Sequence, residues 1–181
     1  MDGVAKVDRI GPHLDGQGHL GDQIAGVRAD DGSADELMLD EVALAEGKDY
    51  FSLGAISVSK SGKLLAYAFD DNGSERYTTR IKDLETGELL ADEIPGTLSS
   101  LVWVAEDAGL VYSLANEQWR TDNARLHRLG QPLDTDVELY HEDDEGFRVG
   151  CGLSAAEDWV IIGTSDHETS EVRLVPADDP T

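Results

Sequence analysis

Three short stretches hold residue types that could do chemistry. Gly152–Leu153–Ser154–Ala155–Ala156 approaches the Gly-x-Ser-x-Gly turn that presents a serine nucleophile, but Ala156 stands where the last glycine belongs. Ser154 also occupies the position that Ser59 holds in an earlier copy of the same pattern. It is therefore expected to close a strand-end turn rather than to attack a carbonyl. His141 is followed by Glu142, Asp143, Asp144 and Glu145, a run that superficially suggests a cation site. Calcium requires six to eight oxygen ligands arranged by a defined loop, and the EF-hand spacing with its central glycine is missing, so a solvated turn is expected. Cys151, the single cysteine, excludes an internal disulfide or a cysteine-based zinc site, and its apolar setting suits a buried, inert thiol. Of the other histidines weighed, His13 and His19 fall in an irregular start and His127 inside a strand. No residue is assigned to catalysis, to a cofactor or to a metal.

The elements that would carry these residues are short and repeated. From Gly54 the chain alternates strand-like runs rich in β-branched and aromatic residues with Gly, Asp and Asn turns. Tyr67 and Tyr112 lie 45 residues apart, Tyr112 and Ile162 50 apart, Ile81 and Leu126 45 apart, and Leu126 and Val172 46 apart. A period of this length with four short strands per unit is the pattern of propeller blades. The expected fold is all-β, a partial β-propeller of about three four-stranded blades over residues 50–95, 98–141 and 147–176. Three blades are fewer than the four to eight that close a propeller, so open sheet faces are expected. Glu36–Leu44 reads as a strand end followed by a short helical turn. Residues 1–28, with Gly3, Gly11, Gly16, Gly18 and Gly21 among scattered charges, show no sustained period and are expected to be loose. Residues 29–181 are assigned to the propeller.

Within this frame Asp70–Asp71–Asn72–Gly73 is a hairpin turn. Glu75 with Arg76, and Trp119 with Arg120, are expected to make ion pairs or cation–π contacts between blades. Trp103 and Trp159 are expected in the core.

Charge narrows the partners. The chain carries 38 acidic against 14 basic residues, a net charge of −24, which disfavours nucleic acid and anionic membranes. Basic peptides would be attracted to it. The acids are spread along the whole chain, which favours adaptation to high salt, where self-repulsion is screened within about 3 Å at 1 M. No run approaches 18 apolar residues and no leader with a basic start is visible, so the chain is expected in the cytoplasm.

Specific strings then resemble a known family. Residues Leu37 to Gly54, Val58 to Tyr67, Gly73 to Thr78 and Lys82 to Leu89 are similar to the segment entering the propeller, and the first blade, of the oligopeptidase B (protease II) group. That group belongs to the prolyl oligopeptidase family of serine peptidases. Val102–Trp103, Trp119–Arg120, His127–Gly130 and Thr169–Arg173 extend the resemblance over about residues 28–181. Two departures stand out. Residues 1–27 do not resemble the family's usual start, and Thr121–Ala124 replace a proline and aromatics that usually follow Trp119–Arg120.

The resemblance implies a seven-bladed propeller that caps an α/β-hydrolase domain bearing a Ser-Asp-His triad. The propeller would restrict that domain to peptides, which the group cleaves after Lys or Arg. The hydrolase domain has no counterpart in these 181 residues. This chain alone is thus expected to be inactive: a non-catalytic gating segment whose partners are that domain and, in the full enzyme, basic peptides. A stand-alone interaction module built from several copies, and a truncated gene remnant, are the alternatives.

Overall fold

The computed structural model describes residues 6–9, 24–28 and 36–180. The chain divides into two compact units, the first ending at Phe51 and the second beginning at Ser52.

In the first unit β1 (Lys6–Arg9), β2 (Ile24–Arg28) and β3 (Glu36–Asp40) form an antiparallel sheet in that order. A one-turn helix, α1 (Glu41–Ala45), follows β3 directly, in line with the strand-then-helix expectation. Asp40 starts it by accepting a hydrogen bond from the Ala43 amide at 2.9 Å, Glu41 sits in the first turn, and Gly47 at φ 74° lies just beyond the end. Two strands, β1 and β2, lie within residues 1–28. Their hydrogen bonds come from partners distant in sequence, Lys6 with Arg28 and Ile24 with Asp40, which no local pattern registers. Gly3, Gly11, Gly16, Gly18, Gly21, His13 and His19 lie outside the described residues. β3 and α1 group with the first unit, and the repeated sheets begin at Ser52, where the repeat units were expected from about residue 50.

The second unit is antiparallel throughout. Seven strands neighbour one another in chain order: β4 (Ser52–Val58), β5 (Leu64–Asp70), β6 (Tyr77–Asp83), β7 (Leu89–Val104), β8 (Gly109–Leu114), β9 (Asn123–Arg128) and β10 (Val137–His141). A separate sheet holds β11 (Arg148–Leu153), β12 (Trp159–Ser165) and β13 (Ser170–Pro176). Ten strands fall where the spacing places them, with one difference. The outer strand of the first repeat and the inner strand of the second are a single 16-residue strand, β7. Its leading part pairs with β6 from Leu89 to Thr97, and its trailing part pairs with β8 from Thr97 to Val104. Gly96 (φ 76°) sits at the exchange, where a left-handed residue bends the strand. Beside it the Thr97 and Thr79 hydroxyls lie 2.8 Å apart.

Alternation along the strands builds two layers. On one face Trp103, Leu110 and Tyr112 of the second repeat pack on Ala66, Ile81 and Ile94 of the first. On the opposite face Val102, Val104, Val111, Ala124 and Leu126 meet Val149, Val160, Ile162 and Ala177 of the third. Trp103 is core as expected, with its indole N–H donating to the Ser57 carbonyl at 2.9 Å. Trp159 corrects the expectation, being 43% exposed. It begins β12 on the side away from Val160 and Ile162, and that side of the β11–β13 sheet is open, with Val172 63% and Leu174 56% exposed.

Candidate functional site

Ser154, singled out from sequence, closes a turn. The Ser154 hydroxyl accepts the Trp159 amide at 3.2 Å, while the Ser154 amide donates to the Trp159 carbonyl at 2.9 Å. Ser59 does the same with Leu64, at 3.1 and 2.8 Å, so both serines close equivalent hairpins. Cys151 is half-buried with Sγ 3.9 Å from the Ser113 hydroxyl, and burial pushes its thiol above the ordinary range. A thiol held protonated is a poor nucleophile.

The acidic run after Tyr140 does not converge. His141 is half-exposed, 3.6 Å from Asp143 and 3.9 Å from Glu138. Glu142 turns away to accept the Tyr140 hydroxyl at 2.5 Å and the Asp144 amide at 3.0 Å, and Asp144 accepts the Gly146 amide at 2.8 Å. Its bond from the Tyr140 hydroxyl, then that from the Asp144 amide, holds the Glu142 carboxyl below the ordinary range. Among the described residues no set of three His, Cys, Asp or Glu side chains is placed to hold a metal. Asp70 organises its turn by accepting the amides of Asn72, Gly73 and Glu75 at 3.0, 3.0 and 2.7 Å. The aromatic–cation contact between repeats forms with a different partner from the one expected. Arg76, not Arg120, lies over Trp119, 4.8 Å from the ring centroid.

The densest polar cluster was not legible in the sequence. The strand parity that puts Leu126 in the aliphatic layer turns its neighbour His127 to the other face, opposite Leu110. There the ring is fully buried between two carboxylates. Nε2 lies 2.9 Å from Asp92 Oδ1, and Nδ1 lies 2.8 Å from Asp136 Oδ1. Asp92 comes from the leading part of β7, on the same face as Ile94, and Asp136 follows the 3₁₀ turn Leu133–Thr135. Each carboxylate has a further donor. Asp92 accepts the Gly130 amide at 2.6 Å, and Asp136 accepts the Tyr112 hydroxyl at 2.7 Å. Burial first, and then Asp136, hold the Tyr112 hydroxyl well above its ordinary range.

A histidine flanked by carboxylates has the makings of acid–base chemistry, but here both ring nitrogens are engaged and the ring has no solvent exposure. A general base must reach a substrate proton, so this cluster is a structural joint between the first and second repeats. Its partners stand 35 and 9 residues from His127, brought together by sheet register alone.

The fold has counterparts in known proteins. The sequence model described as "Prolyl oligopeptidase, N-terminal beta-propeller domain" matches residues 18–181. Dipeptidyl aminopeptidase BI of Pseudoxanthomonas mexicana is 37% identical over 153 residues, covering 84% of this chain and 21% of that protein. Protease 2 of Moraxella lacunata is 31% identical over 150 residues, covering 82% of this chain and 22% of its own length. Oligopeptidase B from Leishmania major superposes with a TM-score of 0.82 at 26% identity, over 88% of this chain and 23% of that one. The chain thus spans about a fifth of the length of the curated relatives it matches. With that match running through every repeated sheet, the chain belongs to the prolyl oligopeptidase family, within its N-terminal β-propeller domain.

Proposed function

We propose that these residues are the non-catalytic, access-restricting portion of a serine oligopeptidase of the oligopeptidase B type, which cleaves peptides after Lys or Arg. The chemistry would belong to an α/β-hydrolase domain with a Ser-Asp-His triad. This chain, with Ser154, Cys151, His127 and His141 committed to turns, burial or surface pairs, would hold the gate. The observation that carries the reading is the family match over residues 18–181. The finer architecture, three blades of a seven-bladed ring, rests on positional equivalence. Ile81 and Leu126 are 1% exposed beneath the following repeat, whereas their equivalent Val172 is 63% exposed. That open face, with Trp159 and Leu174 beside it, has the character of a surface awaiting a further sheet. A cytoplasmic location and high-salt adaptation, consistent with the net charge of −24, complete the proposal.

The test is the intact mass of the native gene product, followed by peptide assays on it. Arginyl or lysyl endopeptidase activity that this chain alone lacks supports the reading. Release of dipeptides from free N-termini would instead place it with the dipeptidyl aminopeptidase relative. A native product no longer than this chain, inactive on both, would withdraw the enzymatic role.

A further inference from the structure

The two joints on either side of the second repeat differ in kind. The joint to the third repeat has an aliphatic layer of side chains such as Val111, Leu126, Val160 and Ile162, with Cys151 N–H donating to Ser100 Oγ at 3.2 Å and Arg173 stacked 4.0 Å from the Tyr140 ring centroid. The joint to the first repeat combines an apolar layer with the Asp92–His127–Asp136 cluster at one end. Burying three ionisable groups is costly unless each is paired and hydrogen-bonded. Here the pairing has a stoichiometry that geometry fixes.

Carboxylate oxygens only accept hydrogen bonds. For the 2.8 and 2.9 Å contacts both to be hydrogen bonds, both ring nitrogens must carry protons. An imidazolium between two carboxylates meets that need. A neutral ring has one N–H, so its bare nitrogen would face a carboxylate oxygen acceptor to acceptor. Among the described residues the ring nitrogens have no hydrogen-bond partner besides these two carboxylates. From β8 comes the Tyr112 hydroxyl, already given to Asp136 Oδ2. From β9 comes Arg125, whose Nη2 lies 3.3 Å from the Asp136 carbonyl and whose Nη1 lies 3.7 Å from Glu138 of β10. The Gly130 amide serves Asp92. β5 adds Leu64 and Ala66 to the apolar layer, and β6 adds Ile81.

We propose that Asp92, His127 and Asp136 form a proton-held latch across the joint between the first and second repeats. Loss of one ring proton releases it. Asp92 belongs to the leading part of β7 in the first repeat, whereas His127, Asp136 and Gly130 belong to the second. Releasing the Nε2 contact therefore loosens this end of the joint, while the apolar layer and the shared strand β7 remain. Because the closed joint binds the proton, linkage requires that lower pH favour the closed form and higher pH the open one. The joint to the third repeat, whose buried layer holds no histidine among the described residues, would not respond. The latch stands independently of the peptidase reading, since it needs neither a substrate nor a hydrolase domain.

The test uses the full chain labelled with 15N-histidine, the His127 signals being identified by their loss in His127→Gln. In the closed joint both ring nitrogens are expected to show protonated, imidazolium-type shifts. A single protonated nitrogen with a pyridine-like partner would overturn the proposal. A second readout follows amide hydrogen exchange, corrected for the intrinsic pH dependence of exchange. Raising the pH is expected to lower protection of Gly130 and of β9 at least tenfold while β12 keeps its protection. Asp92→Asn, which preserves shape and removes one charge, is expected to weaken that pH response. Uniform loss of protection across all strands, or an unchanged response in Asp92→Asn, would overturn the latch. Activity assays do not enter, so this outcome is separable from that of the proposed function.

Discussion

Arg76 and Trp119, set on the corresponding turns of adjacent repeats, are stacked with the guanidinium 4.8 Å from the ring centroid. The same guanidinium donates to the Ala115 and Asn116 carbonyls at 3.1 and 2.9 Å, so one side chain fixes the position of the neighbouring turn. The planar fork is what permits stacking and two divergent hydrogen bonds together. Arg76→Ala is expected to cost about 2 kcal/mol and Arg76→Lys about 1 kcal/mol, from lost charged hydrogen bonds and an exposed cation–π contact. Urea unfolding midpoints check this. Equal, negligible effects from both would mean that the contact contributes nothing to stability.

Gly54 gives a steric prediction. A Cβ placed there would lie 2.7 Å from both Cδ1 and Cε1 of Tyr77, closer than any real Cβ contact. Gly54→Ala is expected to destabilise the unit by about 1–3 kcal/mol through overpacking. In a Tyr77→Ala background the same substitution should cost only a few tenths of a kcal/mol. A double-mutant cycle by thermal or urea melts measures that coupling, and additive costs would refute the clash.

Acid should loosen the turns. Burial works against ionisation of Asp70, but hydrogen bonds from the amides of Asn72, Glu75, Gly73 and Ser74 outweigh it and hold its carboxyl below the ordinary range. A folded value lying below the unfolded one, about 3.9, means that the stabilisation is fully present above that pH. It is lost as pH falls through the folded value. Asp70→Asn is expected to be less stable than the parent at pH 6, with the gap narrowing steadily below about pH 4. Stability curves from pH 6 to pH 2 would decide it, and a gap that stays constant would contradict the assignment.

The open face of the β11–β13 sheet and the covered face of the preceding repeat make a matched pair. Val172→Lys and Leu174→Lys together are expected to leave the melting temperature of this chain within about 2 °C while reducing aggregation, since both positions are exposed. Leu126→Lys, at the equivalent position of the second repeat and 1% exposed, is expected to prevent folding. Light scattering and circular dichroism distinguish the two. Should the Lys pair unfold the chain, the face is covered already, contrary to its exposure.

What the sequence discloses and what it hides follow from the range of the interactions. Hairpins were legible because their determinants are local: Gly62, Gly73, Gly87 and Gly130 take positive φ at the turns. The repeat was legible because Tyr67, Tyr112 and Ile162 mark equivalent strands. The burial of Trp159 was misread because Trp159–Val160–Ile161–Ile162 is apolar on both faces, so alternation gives no sign of which face is covered. The Asp92–His127–Asp136 cluster was missed for a different reason. Three ordinary polar residues acquire meaning only when register brings both carboxylates within 2.9 Å of the ring nitrogens. Parity was available, since His127 must oppose Leu126 across the strand, but its partners were not.

Strand β7 puts the unit of heredity and the unit of folding out of phase. A segment copied in steps of the repeat would begin and end inside one continuous strand, at Gly96 and Thr97, where hydrogen-bonding passes from β6 to β8. Excising such a segment strips a border from the sheet before it and the founding strand from the sheet after it. Neighbouring repeats are thus obliged to form or fail together, and a lineage could add or lose one only by mending this strand at the same stroke.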